Sequence, residues 1–197
     1  MYGRSVSPLV RMGHFTIVVG LVAGSAVACR AQSGTVADLE PELREALLRK
    51  AACADKQGAP IADQDRTQFL QVAVKAQPIH NSRGAEIGTI VTPTNTCYCD
   101  KTNCRTYVFL KSGDKFELAL EDTFVFLRPM KVLKAGLPSL TGKIQVTPTE
   151  AESIIYDWNG TQYRPSLCAT VTQGKGHARP TIVRHECGNL PRPESRP

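Results

Sequence analysis

Apolar and polar positions divide this chain into an uncharged apolar run, one helical stretch and a long succession of short strands. Between residues 36 and 54, Leu39, Leu43, Leu47 and Leu48 recur at helical spacing, with Glu40, Glu42, Arg44, Glu45, Arg49 and Lys50 between them. That period predicts an amphipathic helix. Its acids come early and its bases late, as the helix dipole favours; Thr35 or Asp38 can cap its start, and Gln57-Gly58-Ala59-Pro60 stops it. From Gln68 the period becomes two. Residues 69–74 alternate, residues 87–91 form a second apolar run, and residues 106–110 and 116–120 read as a hairpin around Gly113. Phe124-Val125-Phe126-Leu127 and Met130-Lys131-Val132-Leu133 flank Pro129, which is expected to interrupt any continuous strand. Lys143-Ile144-Gln145-Val146 is a short strand. Residues 154–158 and 161–164 flank Asn159-Gly160, a dipeptide that predicts a tight type I′ turn. The expected fold class is α+β: one N-terminal helix packed on a predominantly antiparallel β-sheet domain, stapled by disulfides.

The apolar run, residues 15–28, is too short for a bilayer span, which needs about 20 residues. It follows Arg4 and Arg11 and ends in small residues before Cys29, the layout of a secretory signal. Ala26-Val27-Ala28 fits ordinary signal cleavage. Ala26-Val27-Ala28-Cys29 also resembles a bacterial lipobox, with Ala26 in place of the usual large aliphatic residue, which makes Cys29 a lipidation candidate. Met12 is an alternative start. The expected organisation is a signal peptide over residues 1–28, a linker over 29–34, a single domain over 35–172, and a basic Pro/Gly-rich tail over 173–197, solvated except where Cys187 ties it.

Export changes how the cysteines are read. Seven are present, Cys29, Cys53, Cys97, Cys99, Cys104, Cys168 and Cys187, and lipidating Cys29 leaves an even set of disulfide candidates. Cys97 and Cys99, two apart on a strand, do not bond each other easily, whereas either can close onto Cys104. Cys53, at the helix end, could then staple the helix to the sheet through Cys168 or Cys187. The formal charge of +6 is concentrated at the two ends, leaving residues 29–172 near neutral. A basic nucleic-acid-binding face is therefore not expected.

The stretch Cys97-Tyr98-Cys99-Asp100-Lys101-Thr102-Asn103-Cys104, followed by an aromatic-rich strand, resembles a motif of uncharacterised exported bacterial proteins. The later Tyr156-Asp157-Trp158-Asn159-Gly160-Thr161-Gln162-Tyr163, with Cys168 close behind, is similar to their Trp/Tyr-x-Gly-x-x-Tyr hairpin. The resemblance spans roughly residues 65–170 and implies a small periplasmic or surface-attached β-rich domain, with no established activity. Some of those proteins carry an Asn-x-Asp-Gly loop similar to calcium-binding loops. Here His80-Asn81-Ser82-Arg83-Gly84-Ala85-Glu86 stands in its place, short of carboxylates and with Arg83 opposing a cation.

Candidate chemistry is sparse. Cys97-x-Cys99-x4-Cys104 lacks the matched ligand pairs of a zinc site, even with His80, His177 and His185 available. No Cys-x-x-Cys redox motif is present. Glu117 and Glu121, four apart on a strand, are expected on one face and open to solvent. His185-Glu186-Cys187 holds base and nucleophile types only as sequence neighbours. These readings predict no catalytic residue, metal or cofactor. The expected function is a non-enzymatic, lipid-anchored module in a bacterial periplasm or on the outer membrane, with the membrane as partner through Cys29 and an envelope protein or polymer as ligand. Two alternatives remain: an inhibitor of a secreted enzyme such as a lysozyme, presenting Asp100, Lys101, Thr102 and Asn103 as its binding loop, and a hydrolase of envelope material.

Overall fold

The computed structural model describes residues 32–50, 66–95, 98–174 and 178–189. Ten strands follow one another as an antiparallel meander: β1 (Gln32–Thr35), β2 (Ala73–His80), β3 (Glu86–Pro93), β4 (Cys104–Ser112), β5 (Lys115–Phe124), β6 (Phe126–Lys134), β7 (Leu137–Thr147), β8 (Glu150–Trp158), β9 (Tyr163–Thr172) and β10 (Thr181–His185). They form two five-stranded sheets, β1 to β5 and β6 to β10, each ordered as in the chain. With the N-terminal helix against the first sheet, the α+β class is as the sequence predicts.

The helix starts later than its leucine spacing suggests. Residues 36–38 make a 3-10 turn, and α1 runs Pro41–Lys50. Proline disfavours the helical region for the residue before it and suits the first helical position, so Pro41 sets the boundary. Thr35 heads the 3-10 turn, its N–H and hydroxyl both donating to the Asp38 carboxylate, at 2.7 and 2.9 Å. The alternation over residues 69–74 is also misleading at its start. Arg66–Leu70 is a short helix, α2, and the strand begins at Ala73. Consecutive Phe69 and Leu70 both pack toward α1's cluster, which one helical turn allows and an extended strand does not.

Two apolar layers result. Between the sheets lie Ile79, Ile90, Val108, Phe124, Leu127, Leu140, Ile144, Ile154, Tyr156 and Tyr163. On the far side of the first sheet, α1 buries Leu43, Ala46 and Leu47 against Val74, Val91, Tyr107, Phe109 and Phe116. Each such leucine contributes about 2 kcal/mol by leaving water. Gly142 leaves room for the Phe124 ring of the first sheet: a Cβ there would sit 2.7 Å from it. The Tyr156 hydroxyl, on β8, donates to Asp122 of β5 at 3.1 Å and ties the layers together.

Three further expectations need correcting. Pro129 does not end a strand: β6 continues through it with a register shift between Pro129 and Leu133, tolerated because β6 is the sheet edge. The Asn159-Gly160 connection is a four-residue loop between Trp158 and Tyr163, not a two-residue turn. Asn159 caps it through its side chain, accepting from the N–H groups of Thr161 and Gln162 at 3.0 and 2.9 Å. The stretch expected to trail in solvent supplies β10, paired with β9 over its whole length.

Candidate functional site

Four of the disulfide candidates pair, Cys99 with Cys104 and Cys168 with Cys187. The first agrees with closure of the short loop. The second corrects the proposed staple, because neither Cys168 nor Cys187 is left for Cys53. It closes a loop of 19 residues, a constraint worth about 3 kcal/mol in the chain-entropy account. Cys29, Cys53, Cys97 and His177 lie outside the described residues.

The expected binding loop is largely occupied with itself. Asp100 accepts from the backbone N–H groups of Thr102 and Asn103 at 2.7 and 2.6 Å and from the Asn103 amide at 3.2 Å. Partial burial opposes its charge, but the N–H donors of Asn103 and Thr102 outweigh that and hold the carboxyl below its ordinary range. Asn103 is buried. Its amide pairs with Gln145 of β7 as a strand would, donating to the carbonyl at 3.0 Å and accepting from the N–H at 2.8 Å. It therefore clamps the loop onto the second sheet; the exposed Thr102 hydroxyl donates to Asp100 at 3.5 Å, and Lys101 extends its side chain into solvent.

Glu117 and Glu121 do not share a face. The register shift in β5 adds a residue opposite Val108 and Phe109, so Glu117 pairs with Leu110 and Glu121 with Tyr107, on opposite sides of the sheet. Glu121 instead faces Arg105 at 3.9 Å. Both stay exposed, and they are not a carboxylate pair.

A third group, of which the sequence reading named only His185, sits at the β8–β10 end of the inner face. Glu152 is buried there, accepting from the Thr170 hydroxyl at 2.6 Å, with His185 Nε2 at 3.0 Å from its second oxygen. His185 Nδ1 faces the Glu186 carbonyl at 3.0 Å. Both ring nitrogens therefore face acceptors, an arrangement only the imidazolium satisfies in full. The Glu186 carbonyl and the Glu152 carboxylate raise the His185 pKa accordingly. The signal was legible: Glu152 holds the same alternation phase as Ile154 and Tyr156. Nearby, Pro165, Leu167, Arg184, Glu186 and the Cys168–Cys187 bridge line an open depression of ≈ 560 Å³. Among the described residues, no group of three or more His, Cys, Asp or Glu side chains converges as a metal site.

A further candidate surface is the outer face of the second sheet. Register places Phe126, Lys143, Ser153, Ala169 and Arg184 side by side across all five strands. One neighbouring row holds Arg128, Thr141, Ile155 and Leu167, and the other Gln145, Ala151, Val171 and Ile182. Three cations and no acid occupy these rows. Among the described residues, no ion pair engages Lys143 or Arg184, while Arg128 lies 5.4 Å from the centre of the Phe126 ring. No described helix covers this face as α1 covers the first sheet.

The fold and these surfaces define a class, a disulfide-bonded α+β domain of two meander sheets with a helix on one of them. Compared with family models, curated proteins and solved structures, the chain matches none.

Proposed function

We propose that the chain is an exported, lipid-tethered, non-enzymatic module of a bacterial envelope, working through the outer face of its second sheet. The observation that carries this reading is the pairing of Cys99 with Cys104 and of Cys168 with Cys187. Protein disulfides persist outside reducing compartments, and the leader ending at Cys29 supplies the route there. The odd cysteine count supports lipidation of Cys29, since acylation removes the unmatched thiol. A binding rather than catalytic role is supported by the His185–Glu152 pair, since both His185 ring nitrogens are engaged and neither is open to activate a nucleophile. The resemblance of the Asn103-Cys104 loop and the residue 156–163 hairpin to uncharacterised exported proteins points the same way.

Intact-mass analysis of the protein recovered from a bacterial envelope tests the tether. A diacylglyceryl-modified N-terminus at Cys29 is expected, together with release into the soluble fraction on Cys29→Ser. An unmodified terminus elsewhere overturns it.

A further inference from the structure

Resting on that envelope location, the composition of the second sheet's outer face goes further: we propose that it lies flat on an anionic lipid bilayer, with its cations on headgroup phosphates and its apolar side chains at the acyl boundary. Lys143 and Arg184 share one row, three strand spacings or about 14 Å apart. Ser153 and Ala169 between them are too small to obstruct either long side chain. Arg128 stands in the adjacent row, and two acids border the rows: Asp157, opposite Arg164 and hydrogen-bonded to Ser139 at 2.5 Å, and Glu186, which lines the depression beside Leu167 and Arg184. The rows themselves are thus cationic, with their acids at the border and no ion pair to Lys143 or Arg184 among the described residues.

Its apolar content selects the occupant. Ile182 is 62% exposed, Phe126 42% and Leu167 38%. A dissolved polyanion rewards the cations but leaves these side chains in water. A lipid interface rewards both, burying apolar groups at the acyl boundary while anionic headgroups attract Lys and Arg. A sugar polymer would use aromatic platforms, but Trp158 packs edge-on against Tyr163 beside the inner core and is spent there. Adsorption would add a second, face-specific contact to an acyl anchor, and stable membrane attachment generally takes two such signals.

The test uses the chain from residue 29 with Cys29→Ser, which keeps every described residue and carries no acyl group. Cosedimentation is measured with vesicles of phosphatidylcholine alone and with added phosphatidylglycerol. Partition onto the anionic vesicles alone is expected, weakening as salt rises. The pair Lys143→Gln/Arg184→Gln should lower it by about fivefold per cation removed, and Ile182→Ser should lower it further. A charge-matched pair on the first sheet, Lys75→Gln/Lys115→Gln, should leave it nearly unchanged. Equal partition onto both vesicles, or equal loss from the two charge pairs, overturns the proposal. So does retention of soluble dextran sulfate with no vesicle binding, which makes the face a polymer site. No acyl chain is present, so this outcome is separate from the mass of the native terminus.

Discussion

The two sheets have the same strand number, the same meander order and a common inner core, yet their outer faces have opposite fates. On the first sheet, Tyr107, Phe109 and Phe116 lie under α1 and are buried. On the second, the corresponding surface carries Phe126, Ile155, Leu167 and Ile182 beside Lys143, Arg128 and Arg184, with no described helix over it. Among the described residues, the eight large apolar side chains most exposed to solvent all belong to β6 to β10 or to Val125 at the junction. The difference separates two uses of one architecture. An aromatic-rich face needs a cover, whereas a face mixing small, apolar and cationic residues persists bare and stays available for binding.

Truncating the cover should have the largest effect. Leu47 is fully buried between α1 and the first sheet, so Leu47→Ala should cost about 3 kcal/mol from lost burial and an unfilled cavity. Ile182→Ser, on the bare face, should change stability by less than about 0.5 kcal/mol. Denaturant titration of both variants checks the contrast, and similar losses would mean that something covers the second sheet after all.

The clamp between the halves comes next. Asn103→Ala removes both bonds to the Gln145 backbone and strands a donor and an acceptor, at a cost of about 2 kcal/mol. Lys101→Ala, two residues away and exposed, should be neutral in the same titration. A loss equal to that of Asn103→Ala would move the clamp elsewhere in the loop.

The second sheet should also respond to pH where the first does not. With its folded pKa raised above 6.5, His185 contributes stability that is fully present below pH 6.5 and is lost as pH rises through the folded value. Hydrogen exchange at β10 should therefore quicken with pH, beyond the intrinsic base-catalysed rate, while exchange at β3 follows that rate alone. Glu152→Gln should flatten the difference, because the carboxylate facing Nε2 is gone. An unchanged β10 profile in that variant would place the sensitivity in another group.

Why some of this was legible and some was not follows from the range of the forces involved. Hairpins such as that around Gly113, with φ 61°, are encoded within a few residues and were readable. So was the closure of a short loop onto Cys104, although the sequence left Cys97 and Cys99 as equal partners for it. The opposite facing of Glu117 and Glu121 depends on a bulge set by pairing with β4, which alternation within one strand does not contain. β10 reads as a polar, Arg-containing tail until a partner strand and the Cys168–Cys187 bridge are supplied. The outer-face rows were invisible for the same reason. Lys143, Ser153, Ala169 and Arg184 are unremarkable in four separate segments and become a surface only through register.

The smallest effect lies in the turn that leads onto the bare sheet. Between β6 and β7, Ala135 and Gly136 both have positive φ, 48° and 84°, the conformation of a type I′ turn. Ala135 is the one described non-glycine residue in that region. Its Cβ makes the left-handed conformation unfavourable, whereas asparagine tolerates it and is preferred before glycine in such turns. Ala135→Asn should therefore stabilise the protein by about 0.5 kcal/mol, seen as a small rise in Tm. The hairpin borders the bare face without contributing to its three rows, so partition onto anionic vesicles should not move with it. A gain in stability that also altered partition would mean that the β6–β7 turn belongs to the binding surface, and the comparison of the two sheets would have to include their edges as well as their faces.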